Sequence, residues 1–190
     1  MENSEFTIDA QGWLSLVKRM PSPNFNQRPT DAEISLLVVH NISLPPAQFR
    51  GEFVCDFFLN RLDCAAHPYF REISHLQVSS HLFVRRDGEV IQFVSLHDRA
   101  WHAGRSSWLG RDNCNDYSIG VELEGADDIP YEAIQYRQLA RIAKAVRKAF
   151  PLITTDRVVG HSDIAPGRKT DPGPEFDWPK LRKLMSNEEG

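Results

Sequence analysis

Between Tyr117 and Glu124 apolar and polar residues alternate, with Ile119, Val121 and Leu123 on one side and Gly120, Glu122 and Glu124 on the other. A period of two fits an extended strand and no helix, so this segment must join a sheet and give one face of it to a core. The opposite face carries two carboxylates, and Glu124, one step nearer the following loop, is expected to be solvated. Downstream, Ile134, Leu139, Ile142, Ala143, Val146 and Phe150 trace the apolar stripe of a helix, with Pro130 near its start and Pro151 at its end.

Other segments fit the same frame. Ile34 to His40 is a short β-branched run that reads as a buried strand ending in histidine, and Arg157 to His161 is a second. His81–Val84 and Val90–Val94 flank Asp87-Gly88, which predicts a hairpin closed by a two-residue turn with positive φ. Helical spacing is expected over Trp13–Val17, stopped by Pro21 and Pro23, over Phe53–Leu62, and from Trp178 through Leu181 and Leu184. A hairpin plus strands separated by helices implies an α/β fold, a central mixed β-sheet with helices packed on its faces. With no repeat and no dividing linker, residues 1–190 are expected to form a single domain.

Charge narrows the function. Lys and Arg number 22 against 26 Asp and Glu, a net charge of −4, which argues against nucleic acid and anionic membranes as partners. A small-molecule substrate and a monomeric chain are the expectation. The start, Met1-Glu2-Asn3-Ser4-Glu5, is acidic and lacks an apolar run, so no export signal is expected. Cys55, Cys64 and Cys114 are odd in number and irregular in spacing, as reduced thiols are, and the chain reads as cytoplasmic.

Seven histidines occur, and two are placed differently from the rest. His40 and His161 each close an apolar strand and lead into a loop, where rigid ligands are commonly held. The loop from Gly160 to Pro174 is dense in turn formers yet holds Asp163, Arg168, Lys169 and Asp171. A catalytic zinc takes three protein ligands and keeps one position open. His40, His161 and Asp171 meet that count, and Asp163 stands too close to His161 to chelate well from extended chain. Two neutral imidazoles and one carboxylate leave Zn²⁺ with net positive charge, although the same donors also suit non-haem iron. Lys169 lies two residues from Asp171, so both point to one side of extended backbone about 7 Å apart. A cation there suits an oxyanion. Glu122, mid-strand on the polar face, suits a general base with a raised pKa.

The strings Val39-His40-Asn41 through Pro46, Trp101-His102-Ala103-Gly104, Cys114-Asn115 through Gly125 and Gly160-His161 through Pro174 closely resemble the zinc-dependent N-acetylmuramoyl-L-alanine amidases. Within that family they are most similar to the cytoplasmic 1,6-anhydro-N-acetylmuramyl-L-alanine amidases of Gram-negative bacteria. Phage amidases and peptidoglycan recognition proteins are more distant members. The likeness runs from about Trp13 to Trp178. It implies zinc on His40, His161 and Asp171, Glu122 as proton acceptor and Lys169 as transition-state stabiliser. It implies a role in recycling cell-wall fragments and, through it, in restraining β-lactamase induction. Asn41, Trp101, His102 and Arg111 are the candidate substrate contacts. Some members carry basic residues near Gln77 and Asn113, where this chain is neutral. Some relatives bind peptidoglycan without cutting it after losing a zinc ligand, which makes a non-catalytic muropeptide-binding module the alternative.

Overall fold

The sheet forms around a run that must be buried on both faces. In the computed structural model, which describes residues 5–186, Leu36 to His40 are all buried. The strands are β1 (Lys18–Arg19), β2 (Phe25–Asn26), β3 (Leu36–Ile42), β4 (Leu82–Val84), β5 (Val90–Gln92), β6 (Arg99–Ala100), β7 (Ser107–Trp108), β8 (Arg111–Asp112), β9 (Ser118–Glu124) and β10 (Val158–Gly160). Six form one sheet in the order β1-β5-β4-β9-β3-β10, and β2–β6 and β7–β8 form two small ribbons. All neighbours in the main sheet run parallel except the β4–β5 hairpin. The sheet is mixed, as expected.

Central parallel strands are covered on both sides, which is why β3 carries a nearly continuous apolar run. Helix α1 (Phe53–Phe58) packs with α2 (Phe70–Ile73) on one side of the sheet, against Phe83, Ile91 and Phe93. Helices α3 (Ala133–Ala149) and α5 (Trp178–Ser186) cover the other side, against Leu37, Val39, Ile119, Val121 and Leu123. Between them in sequence, α4 (His161–Ile164) starts directly after β10. The α3 start is fixed by Gln135, whose Oε1 accepts the Glu132 N–H at 3.0 Å while its Nε2 donates to the Val84 and Glu124 carbonyls.

Alternation along β9 is as the sequence predicts, but its polar face is not wet. All seven residues of the strand are buried. Register pairs His40 with Glu122 and Val38 with Gly120, so His40, Ser118, Gly120 and Glu122 share the face opposite α3 and form a floor. Glu124, expected to be solvated, is 4% exposed and accepts the backbone N–H groups of Arg50 at 2.6 Å and Arg86 at 3.0 Å.

Other expectations are corrected. Trp13–Val17 is no helix: Gly12 and Leu16 take positive φ, and Ile8 bridges Leu14. The hairpin turn runs from Arg85 to Gly88, closed by Gly88 N–H to the Arg85 carbonyl, and Gly88 takes positive φ whereas Asp87 does not. β3 continues two residues past His40, and His161 opens α4 instead of closing β10. None of the three cysteines is paired. Among the described residues no helix is long and apolar enough to cross a membrane. Met1 to Ser4, on which the reading of the start rests, lie outside the described residues.

Candidate metal centre

Strand β3 and the loop after α4 meet at one point. His40 Nδ1 lies 2.9 Å from His161 Nδ1 and 3.2 Å from Asp171 Oδ2, and His161 Nδ1 lies 3.0 Å from the same oxygen. These three atoms form a near-equilateral triangle of potential ligands. A tetrahedral zinc with bonds of about 2.0–2.1 Å separates its donors by roughly 3.3 Å, so the spacing suits it. The far nitrogen of His161, Nε2, faces the Ala103 carbonyl at 3.1 Å. A carbonyl can only accept, so Nε2 bears the proton and Nδ1 turns a lone pair inward.

Electrostatics agree with a cation there. Burial pulls the His40 imidazole down to about 4, so it is neutral at neutral pH and ready to ligate.

The loop that brings Asp171 back is fastened at several points. Ser162 N–H donates to the Asp171 carbonyl at 3.0 Å. Asn41 Nδ2, with two hydrogens to give, faces three acceptors, Asp127 Oδ1 at 2.8 Å, Tyr131 Oη at 2.9 Å and the Pro172 carbonyl at 3.2 Å, and the Tyr131 hydroxyl donates to that carbonyl at 2.7 Å. Gly173 is tightly approached, since a Cβ there would fall 2.3 Å from the Asp127 backbone and its φ is +83°. Asn41 therefore ties the strand beside one ligand to the loop beside another.

Glu122 stands on the floor next to His40. Its Oε2 is buried and has no hydrogen-bond partner. Burial first, then the Asp171 charge, raise its carboxyl well above the ordinary 4.5, with Lys169 pulling the other way. Lys169 is exposed on the rim.

Above these groups opens a cavity of about 870 Å³, within the range of small-ligand sites. Its polar lining includes His40, Glu122, His161, Lys169 and Asp171, and an apolar wall comes from Leu44, Phe57, Tyr69 and Ile73. Trp101 lines it and donates its indole N–H to Asn26 Oδ1 at 2.7 Å, which holds the ring in place. Asn41 and Gln77 also reach the wall. His102 lines it too, but both its ring nitrogens are engaged within the protein, at 2.8 Å from His40 Nε2 and 3.1 Å from Ser118 Oγ.

Arg111 is not brought to this cavity. Its guanidinium sits 4.1 Å over the Tyr117 ring and lines a separate depression with Leu109 and Leu152. The β7–β8 ribbon, whose Leu109-Gly110 tip takes positive φ at both residues, aims it there.

Sequence reasoning gives Arg168 no role. In the structure its Nη2 donates to the Ala103 carbonyl at 2.6 Å and its Nε to that of Arg105 at 3.1 Å, so it fixes the same carbonyl that orients His161. Its position in the charged loop is the one signal that could have found it.

A family model described as N-acetylmuramoyl-L-alanine amidase matches residues 30–174. The chain is 52% identical over 178 residues to the 1,6-anhydro-N-acetylmuramyl-L-alanine amidase AmpD of Escherichia coli (strain K12), spanning 94% of this chain and 97% of that one. Its fold matches a crystal structure of a selenomethionine AmpD derivative with a TM-score of 0.91 at 51% identity, over 94% of this chain and 99% of that chain. It also matches the E. coli amidase AmiD in complex with anhydro-N-acetylmuramic acid-L-Ala-D-gamma-Glu-L-Lys, with a TM-score of 0.60 at 30% identity, over 93% of this chain and 65% of that one.

Proposed function

The chain belongs to the N-acetylmuramoyl-L-alanine amidase family, and we propose that it is a zinc-dependent hydrolase of the bond between 1,6-anhydro-N-acetylmuramic acid and L-alanine. Its substrates are small muropeptides released during wall recycling, and its place of action is the cytoplasm. The carrying observation is the triangle of His40, His161 and Asp171 beside the unpartnered Glu122 oxygen, at the bottom of an open cavity. The relatives' names and the anhydro-muropeptide seen in AmiD support this choice of substrate.

His40 Nδ1, His161 Nδ1 and Asp171 Oδ2 would hold the metal. When bound, zinc supplies Lewis acidity toward the scissile carbonyl and acidity to a water. Every other task falls to side chains. Glu122, whose carboxyl burial lifts above the ordinary range, takes the proton of the attacking water as its oxygen joins the carbonyl carbon. The Lys169 ammonium offsets charge on the carbonyl oxygen of the tetrahedral adduct. Glu122 then returns the proton to the alanine nitrogen as the C–N bond breaks, leaving a muramic carboxylate and a peptide with a free L-alanyl amine. Trp101 offers a fixed aromatic face for the sugar.

The test pairs metal analysis with release of L-alanyl peptide from anhydro-muropeptide. One zinc per chain and cleavage that a chelator stops and zinc restores is the expected result. Bound zinc without cleavage would instead identify a muropeptide-binding module, and cleavage indifferent to chelation would overturn the metal's role. Lys169→Ala is expected to keep its zinc and to slow kcat by about 10²–10³, as loss of one oxyanion donor does. An unchanged kcat would remove Lys169 from the mechanism.

A further inference from the structure

The two histidines of the triangle are held from behind in different ways. His161 reaches a main-chain carbonyl, whereas His40 reaches another side chain, His102, at 2.8 Å. That contact continues inward, from His102 Nε2 to Ser118 Oγ at 3.1 Å and from Ser118 Oγ to the Cys114 carbonyl at 2.6 Å. Resting on the metal-centre reading above, we propose that His102 is a positioning residue, which with Ser118 fixes the tautomer of His40 so that Nδ1 presents its lone pair to the metal.

The direction of the chain follows by elimination from its closed end. The Cys114 carbonyl only accepts, so the Ser118 hydroxyl donates its single hydrogen there. Ser118 Oγ must then accept from His102, which places the His102 proton on Nε2. His102 Nδ1 is left as an acceptor, and the His40 proton belongs on Nε2, facing it. Nδ1 of His40 is therefore bare where it meets His161 and Asp171.

A second observation concerns the seat of the ring. Gly120 sits mid-strand in β9, a position where glycine weakens a sheet. A Cβ there would come within 2.6–2.8 Å of three His102 ring atoms. Its φ is not in the left-handed region, so the glycine is required by space alone. Asn115 fixes the backbone above, its Oδ1 accepting the N–H groups of His102 at 3.1 Å and Ala103 at 2.8 Å. Ring, seat and backbone are thus all specified, although both ring nitrogens are already spent inside the protein.

Two variants separate positioning from packing. In His102→Asn the side-chain oxygen can take the place of Nδ1 and accept from His40, whereas His102→Leu fills space and accepts nothing. Zinc affinity, measured by competition with a chromophoric chelator, is expected to fall about 10–100-fold in His102→Leu, the usual effect of losing a ligand's outer partner. His102→Asn should recover most of that loss. Nitrogen-15 NMR of the metal-free parent should place the His40 proton on Nε2, and His102→Leu should mix the two tautomers. Equal weakening by both variants, or undiminished affinity in His102→Leu, would overturn the proposal. So would a parent His40 protonated on Nδ1 alone. A parent that takes up no zinc refutes the metal centre, and the metal-free nitrogen spectrum still decides the His40 tautomer on its own.

Discussion

Asp171→Ala is expected to empty the metal centre and to end hydrolysis in the same step. The carboxylate is the only anionic member of the triangle, 3.0 Å from one imidazole and 3.2 Å from the other. Without it two neutral rings must hold a divalent cation alone, short of the three protein ligands a catalytic zinc normally takes. The loop itself should stay in place, since Ser162 N–H, Asn41 and Tyr131 hold it through backbone carbonyls that the substitution leaves intact. A fall in kcat/KM of about 10⁴ or more is expected, because the centre's acidity toward water is lost with the ion. Asp163 is the control. It is exposed and its Oδ2 accepts the Gly160 N–H at 2.7 Å, a local cap at the start of α4. Asp163→Asn should keep its zinc and lose at most about 1 kcal/mol of stability, in the range of a helix cap. Metal content and kcat/KM measured on both variants decide the matter. Full zinc and full activity in Asp171→Ala would sink the ligand assignment.

Glu122→Gln separates chemistry from stability. The amide keeps shape and burial but cannot take a proton, so kcat should fall about 10²–10⁴ with zinc retained. The same change should raise the Tm of the metal-free protein. Burial and the Asp171 charge lift the Glu122 carboxyl well above 4.5 in the folded chain, so the folded state binds more protons than the unfolded one. Stability from this group is then fully present below the unfolded value and is lost as pH rises through the folded one. The Tm advantage of Glu122→Gln should therefore be present at pH 8 and vanish toward pH 4. In the parent enzyme the acid limb of kcat/KM that reports protonation of this base should be missing from the residual rate of the variant. A variant destabilised at pH 8, or one with parental kcat, would contradict the base assignment.

Much of this arrangement is legible in the residues. The alternation of β9, the apolar run of β3 and the stripe of α3 are long enough for their periods to be unambiguous, and they fix a helix-covered mixed sheet. The triangle follows once the register sets His40 beside Glu122 and the loop returns Asp171. What escapes is non-local. Glu124 looks solvated because its partners are main-chain amides 74 and 38 residues away. Trp13–Val17 looks helical because five residues are too few to outweigh the turn that Gly12 and Leu16 impose. Arg111 looks available because nothing in its neighbours reveals the ribbon that turns it onto Tyr117. The inward bonds of His102 escape because its partners in space, His40 and Ser118, are 62 and 16 residues distant.

The span between the two histidine ligands has a consequence for the chain as a polymer. His40 and His161 are 121 residues apart, on the first long strand of the sheet and just past its last. An ion shared by them is a removable link between points nearly two-thirds of the polypeptide apart, made only while the chain is folded and lost when it unfolds. The endurance of the folded enzyme would then follow the supply of free zinc, gaining about 2.7 kcal/mol when that supply stands a hundredfold above the dissociation constant. Zinc starvation would shorten the protein's lifetime as well as silence it.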